Sequence, residues 1–259
     1  MWTMTMPEKV RRGAVAGLPL ALVLLGAAAP ARPDFSGVWR MARPAEIKDE
    51  RLRTPPIPPA PLTPAAAKLY ADEREAYRRS EEEGRPIARD REVCIPDGMP
   101  RMLTTDLPFE IIQTRQRITW ITEFLAQIRR IRFAGGPSPA RPAGDSHEGE
   151  PLETFFGDSV ARWEGSTLVV ETTGLKPRVR LFNDVPRSEK LRIVERIRLV
   201  APNILRDEVT MIDPGVLTRP WTVVRVFERR PDLAVGEFVC TENNRSFRDR
   251  DGRLATRTP

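Results

Sequence analysis

From residue 109 onward the chain alternates apolar and polar side chains with a period of two, as strands with one buried face do. Residues 109–113 and 117–124 predict a hairpin across a short polar turn, with Ile118 and Trp120 sharing a face. Residues 128–133 predict a third strand, with Ile131 and Phe133 opposite Arg130 and Arg132. A stretch rich in Gly, Pro and Asp follows, to about residue 157. Residues 159–163 and 167–172 then flank Glu164-Gly165-Ser166, a tight turn with glycine where a positive φ is needed. Residues 191–200, 205–213 and 221–229 complete the pattern, with 235–240 as a candidate edge. Seven to nine strands joined mostly by short turns, with no helix between them, predict a mostly β fold. Its architecture is expected to be an antiparallel β-barrel or half-barrel, with a sandwich as second choice.

Upstream the pattern changes. Pro55-Pro56-Ile57-Pro58-Pro59-Ala60-Pro61 lacks backbone donors and is expected to be extended, so residues 32–62 read as a Pro-rich N-terminal strap. Thr63 fits an N-cap with Pro64 at the first helical position, and the helix is expected to run to about Glu83, before Gly84. Leu69, Tyr70, Ala76 and Tyr77 form its expected packed face. Residues 63–259, the helix followed by the sheet, read as one globular domain.

Lys9, Arg11 and Arg12, an uncharged stretch from Gly13 to Ala31, and Ala29-Pro30-Ala31 carry the pattern of a cleavable secretory signal. Cleavage after Ala31 would leave Arg32 as the first residue of a periplasmic or secreted protein. The apolar stretch is too short and interrupted for a good membrane span, so no integral span is expected once it is removed. Its removal takes away three basic groups and Glu8, leaving 39 Lys+Arg against 35 Asp+Glu over 228 residues, a net +4. The arginines are spread over many segments, which points to solvated faces rather than a nucleic-acid site. Cys94 and Cys240 are the two cysteines, both in the exported part, and an oxidising compartment predicts that they bridge. Closing so long a loop is worth roughly 4–5 kcal/mol in the chain-entropy account.

Catalytic chemistry is thinly marked. His147 is the one histidine, and no phosphate-cradling glycine motif, nucleophile elbow or metal-ligand spacing is present, so neither a metal nor a cofactor is expected. Alternation places Glu195 on the apolar face of Ile193, Ile197 and Leu199, where a carboxyl must be paired, hydrogen-bonded or protonated. It is a weak acid/base candidate, with Glu123 beside it and Glu171 and Glu228 weaker still; the plainer alternative is an ion pair with an inward arginine such as Arg129. Trp120, Phe133, Trp163 and Trp221 fit either a core or the lining of a concavity for a small apolar ligand, with Arg129, Arg245 and Asn243 as polar anchors. Three readings stay open: a small-molecule binder, an enzyme on an apolar substrate, and a cell-envelope interaction protein docking through the strap and helix.

Two resemblances carry further expectations. Ser36-Gly37-Val38-Trp39 is similar to the short G-x-W element of lipocalins. Cys94-Ile95-Pro96-Asp97-Gly98-Met99-Pro100-Arg101-Met102, the run from Arg162 to Val170, Asp213-Pro214 with Pro220-Trp221, and Cys240-Thr241-Glu242-Asn243-Asn244-Arg245 resemble a family of secreted proteobacterial proteins of unknown function. That resemblance spans nearly all of the mature chain and implies export and a shared fold, but no activity. Where that family often reads W-E-G-D-T this chain has Ser166, and residues 134–139 depart from a D-G-R-x-H-P element.

Overall fold

The computed structural model describes residues 1, 3, 32–42, 47–134, 153–242 and 244–256. The expected signal (1–31) apart from residues 1 and 3, His147 and Asn243 lie outside them. Nine strands close into a barrel in sequence order: β1 (Gly37–Met41), β2 (Phe109–Gln113), β3 (Arg117–Thr122), β4 (Ile128–Phe133), β5 (Asp158–Glu164), β6 (Thr167–Thr173), β7 (Arg192–Ala201), β8 (Ile204–Ile212) and β9 (Trp221–Arg229). β1 completes the ring by pairing antiparallel with both β2 and β9. Residues 37–41 of the expected strap are therefore a wall of the barrel. Neighbours are antiparallel except β4 and β5, which run parallel with Ile131 opposite Ser159. An odd number of strands cannot close with every pair antiparallel, so a closed nine-stranded ring requires this departure from the all-antiparallel expectation.

The barrel has two unlike ends. At one, β2–β3, β5–β6 and β7–β8 are joined by tight turns; Gly165 takes φ +60° there, as the turn chemistry required. We call this the turn end. The other is stoppered by Met102, Leu103, Leu181 and Phe182, all at most 2 % exposed and continuous with the barrel core. Trp39, Phe109, Trp120 and Phe227 fill the interior, with the Phe109 and Trp120 rings stacked at 4.9 Å and Phe227 edge-on to both.

Outside the barrel lies α1 (Pro64–Glu82), with Thr63 accepting from the Ala66 amide as its N-cap. Its packed face runs through Ala66, Tyr70, Ala76, Tyr77 and Ser80. Leu69, expected on that face, is half exposed: its helical position is on the packed side, but the neighbouring structure does not cover it there. The Pro-rich strap is laid along the barrel and gives its carbonyls to barrel donors, Trp221 Nε1 to Pro58 at 3.1 Å and Thr218 Oγ1 to Pro61 at 3.0 Å.

Cys94 and Cys240 are bonded as expected. Residues 235–240 are not the expected edge strand; the chain there is irregular and leads instead to a small separate hairpin, β10 (Ser246–Arg248) and β11 (Leu254–Thr256). All nine walls of the barrel are already paired, so no edge remains for 235–240 to extend. Among the described residues no helix is long and apolar enough to cross a membrane.

Candidate functional site

Inward positions of β4 to β8 place polar side chains in one layer inside the barrel. Arg129 on β4 is fully buried and forks onto Glu195 of β7, with Nη1 donating to Oε1 at 2.8 Å and Nη2 to Oε2 at 2.5 Å. Nη2 also donates to Ser159 of β5 at 3.1 Å and Thr172 of β6 at 3.0 Å. The Trp120 ring lies 6.0 Å from the guanidinium carbon. Asp207 of β8 is fully buried near this pair, and as a carboxylate neither of its oxygens has a donor within reach. Burial first, and the Glu195 charge second, push its pKa well above the usual carboxylate range. Proton uptake by Asp207 relieves its repulsion with the Glu195 carboxyl group.

This layer answers the carboxylate question. Glu195 points inward as alternation required, and it is paired with the anticipated Arg129. With 0 % exposure on both side chains, no substrate touches Glu195 while the barrel is closed. The other acids are spread out: Glu123 accepts from the Gly236 amide at 2.8 Å, and Glu171 pairs with Arg192 at 3.3 Å. Arg245 is exposed beside the C-terminal hairpin, so it does not converge with Glu195 on a common cleft. Asp207 and Arg225 carried the signal that marked Glu195, a polar residue on the apolar face of its strand, and went unselected. Arg225 stands opposite Asp207 across β8–β9 and donates through Nε to the Leu103 carbonyl at 3.2 Å, while burial lowers its pKa. Among the described residues no group of His, Cys, Asp and Glu could hold a metal ion.

The aromatic candidates divide. Trp120 and Trp221 are core residues, 1 % and 2 % exposed, the latter edge-on to Phe182. Phe133 and Trp163, at the ends of β4 and β5, are half-buried at the turn end, with rings near-parallel and 6.4 Å apart. Trp163 also packs on the fully buried Phe35 at 5.5 Å. Phe133 and Trp163 line a concavity of about 380 Å³ with Arg32, Asp34, Gln113 and Arg115. Its floor is fixed by Gln113, which donates through Nε2 to the Pro33 carbonyl at 2.9 Å and accepts from the Phe35 amide at 3.1 Å. Arg229 reinforces this by donating to the carbonyls of Asp34 and Ser36 while lying over the Trp39 ring. Asp34 is occupied by Ser36, whose hydrogen bonds to the carboxylate lower its pKa.

A second concavity, about 460 Å³, lies between the 177–190 loop and Gly215, lined by Arg187, Ser188, Glu189 and Lys190. It has no aromatic wall. Ser188 is tied to Asp213 through both amide and hydroxyl, and Arg187 spends Nη1 and Nη2 on the carbonyls of Ser188 and Leu175, so these groups brace two loops.

Fold and site together define a closed, mostly antiparallel nine-stranded barrel with an aromatic and aliphatic interior, a buried arginine–carboxyl layer and an aromatic-walled concavity at its turn end. No family model matches the chain, and no curated protein is similar to it.

Proposed function

We propose that this is an exported protein that binds a small, flat, apolar molecule at the turn end of its barrel, against Trp163 and Phe133. The observation that carries the reading is the half-buried aromatic pair, on strand ends rather than on a loop, in a concavity of about 380 Å³ with polar groups at its rim. Small-molecule sites are built this way, with apolar walls, a few placed polar groups and a volume of about 300–1,000 Å³. Export is supported by the order of charge, apolar stretch and small residues in 1–31, and by a disulfide of the kind oxidising compartments sustain.

Native mass spectrometry of the protein recovered from the cell envelope tests it. The expected result is a reproducible extra mass, released on denaturation and absent from Trp163→Ala. A mass retained by Trp163→Ala, or none in either protein, would overturn the reading.

A further inference from the structure

We propose that the turn-end pocket selects an aromatic carboxylate, whose charge is met by the guanidinium groups of Arg32 and Arg115 and by the α-ammonium that signal removal creates on Arg32. The proposal rests on the binding reading above and adds the ligand's charge and a role for maturation.

Three observations carry it. First, the pocket is unequal in charge. Arg32 and Arg115 line it against a single acid, Asp34, and that carboxylate already accepts from the Ser36 amide at 2.9 Å. Two cations at the rim of an aromatic slot fit a flat ring carrying an anionic group, because a charge-assisted hydrogen bond is stronger than a neutral one and guanidinium matches carboxylate geometry. Second, Arg32 is the residue that would begin the exported chain, so its backbone nitrogen becomes a cation only after cleavage. In the uncleaved chain the same atom is a neutral amide. Third, the new terminus would be held in place. Pro33 is bound by Gln113, the Asp34 and Ser36 carbonyls by Arg229, and Phe35 is buried between Trp163 and the Trp39 indole, whose Nε1 donates to the Phe35 carbonyl at 2.8 Å. A terminus pinned this close to the rings adds a fixed charge, where a loose tail would add only a screened one.

The test uses the exported protein, with its first residue established by mass spectrometry, and three probes of one shape: 2-naphthoate, 2-naphthylmethanol and 2-naphthylmethylammonium. Binding is read by isothermal titration calorimetry. The expected result is 2-naphthoate bound about tenfold or more tighter than the alcohol, the scale of one charge-assisted hydrogen bond, with the ammonium probe weakest. Arg115→Gln should shrink the preference for naphthoate over the alcohol. Inserting Gly-Ser between Ala31 and Arg32, which moves the α-ammonium two residues away, should shrink it as well. Equal affinity for naphthoate and alcohol would overturn the proposal and leave aromatic binding standing. A preference untouched by the insertion, or a mature chain that does not begin at Arg32, would overturn the role of cleavage. Failure of all three probes to bind would count against the pocket itself and against the proposal with it.

Discussion

Removing the Arg129 cation from the barrel interior is expected to cost far more than its share of contacts. The guanidinium makes four hydrogen bonds, two to Glu195 and one each to Ser159 and Thr172, and both charged partners have 0 % exposure. Arg129→Met keeps roughly the same length of side chain but leaves Glu195 and Asp207 without the cation they share. Breaking a buried pair from one side typically costs about 3–5 kcal/mol, and this range is expected for Arg129→Met at neutral pH. Glu195→Gln should cost less, about 1–3 kcal/mol, because Asp207 can then ionise and take over as partner of Arg129. The double variant Arg129→Met/Glu195→Gln carries no stranded charge and should be more stable than Arg129→Met alone. Urea unfolding of the disulfide-intact proteins reads this as shifts of the midpoint at constant m. A cost below about 1 kcal/mol for Arg129→Met, within the ordinary range for surface changes, would refute the reasoning, and so would a double variant that costs the sum of the singles.

Asp207 makes stability pH-dependent. Its folded pKa is raised, so its contribution is complete below the ordinary carboxylate pKa and is lost as pH rises through the raised value. Asp207→Asn should therefore gain stability relative to the wild type as pH increases from 4 to 8.5, measured as the difference in urea midpoints; a difference that does not change with pH would contradict this. Gly98 has φ +69° and a Cβ there would lie 2.2 Å from the Phe155 carbonyl oxygen, so Gly98→Ala should cost about 3 kcal/mol or more by thermal or urea unfolding. Gly165→Ala, with φ +60° but open space around it, should cost only the left-handed backbone penalty of about 1–2 kcal/mol. Equal costs at the two positions would show that the approach of Phe155 is not what Gly98 serves.

Strand positions and faces were readable in the sequence because period-two alternation survives wherever one face is dry: Trp221–Arg229 was placed to the residue, and Glu195 was correctly turned inward. Thr63 and Pro64 marked the start of α1 through local backbone chemistry alone. The parallel β4–β5 pair was not readable, since it follows from ring closure and strand number, which no local window contains. Leu69 and residues 235–240 failed for a related reason: hydrophobicity names candidates for a buried face, but tertiary packing decides which candidates find a partner. The small β10–β11 hairpin had a local sign, Asp251-Gly252 in its turn, but strands of three residues each are too short to show a period. Among the aromatics the sequence could not separate Trp163 from Trp120, because both alternate in strands, and only their heights in the barrel make one a rim residue and the other core. Arg32 and Arg115 were missed entirely, as neither lies on a strand and nothing in their neighbours marks a rim.

Whether the ligand sits at the turn end or inside the barrel can be read directly from fluorine NMR of the exported protein labelled with 5-fluorotryptophan. Of the five tryptophans, Trp2 lies in the proposed signal, whose removal would leave four resonances, from Trp39, Trp120, Trp163 and Trp221. The account predicts that 2-naphthoate moves the Trp163 resonance and leaves the three buried ones in place; movement of Trp120 or Trp221, or of none, would contradict it.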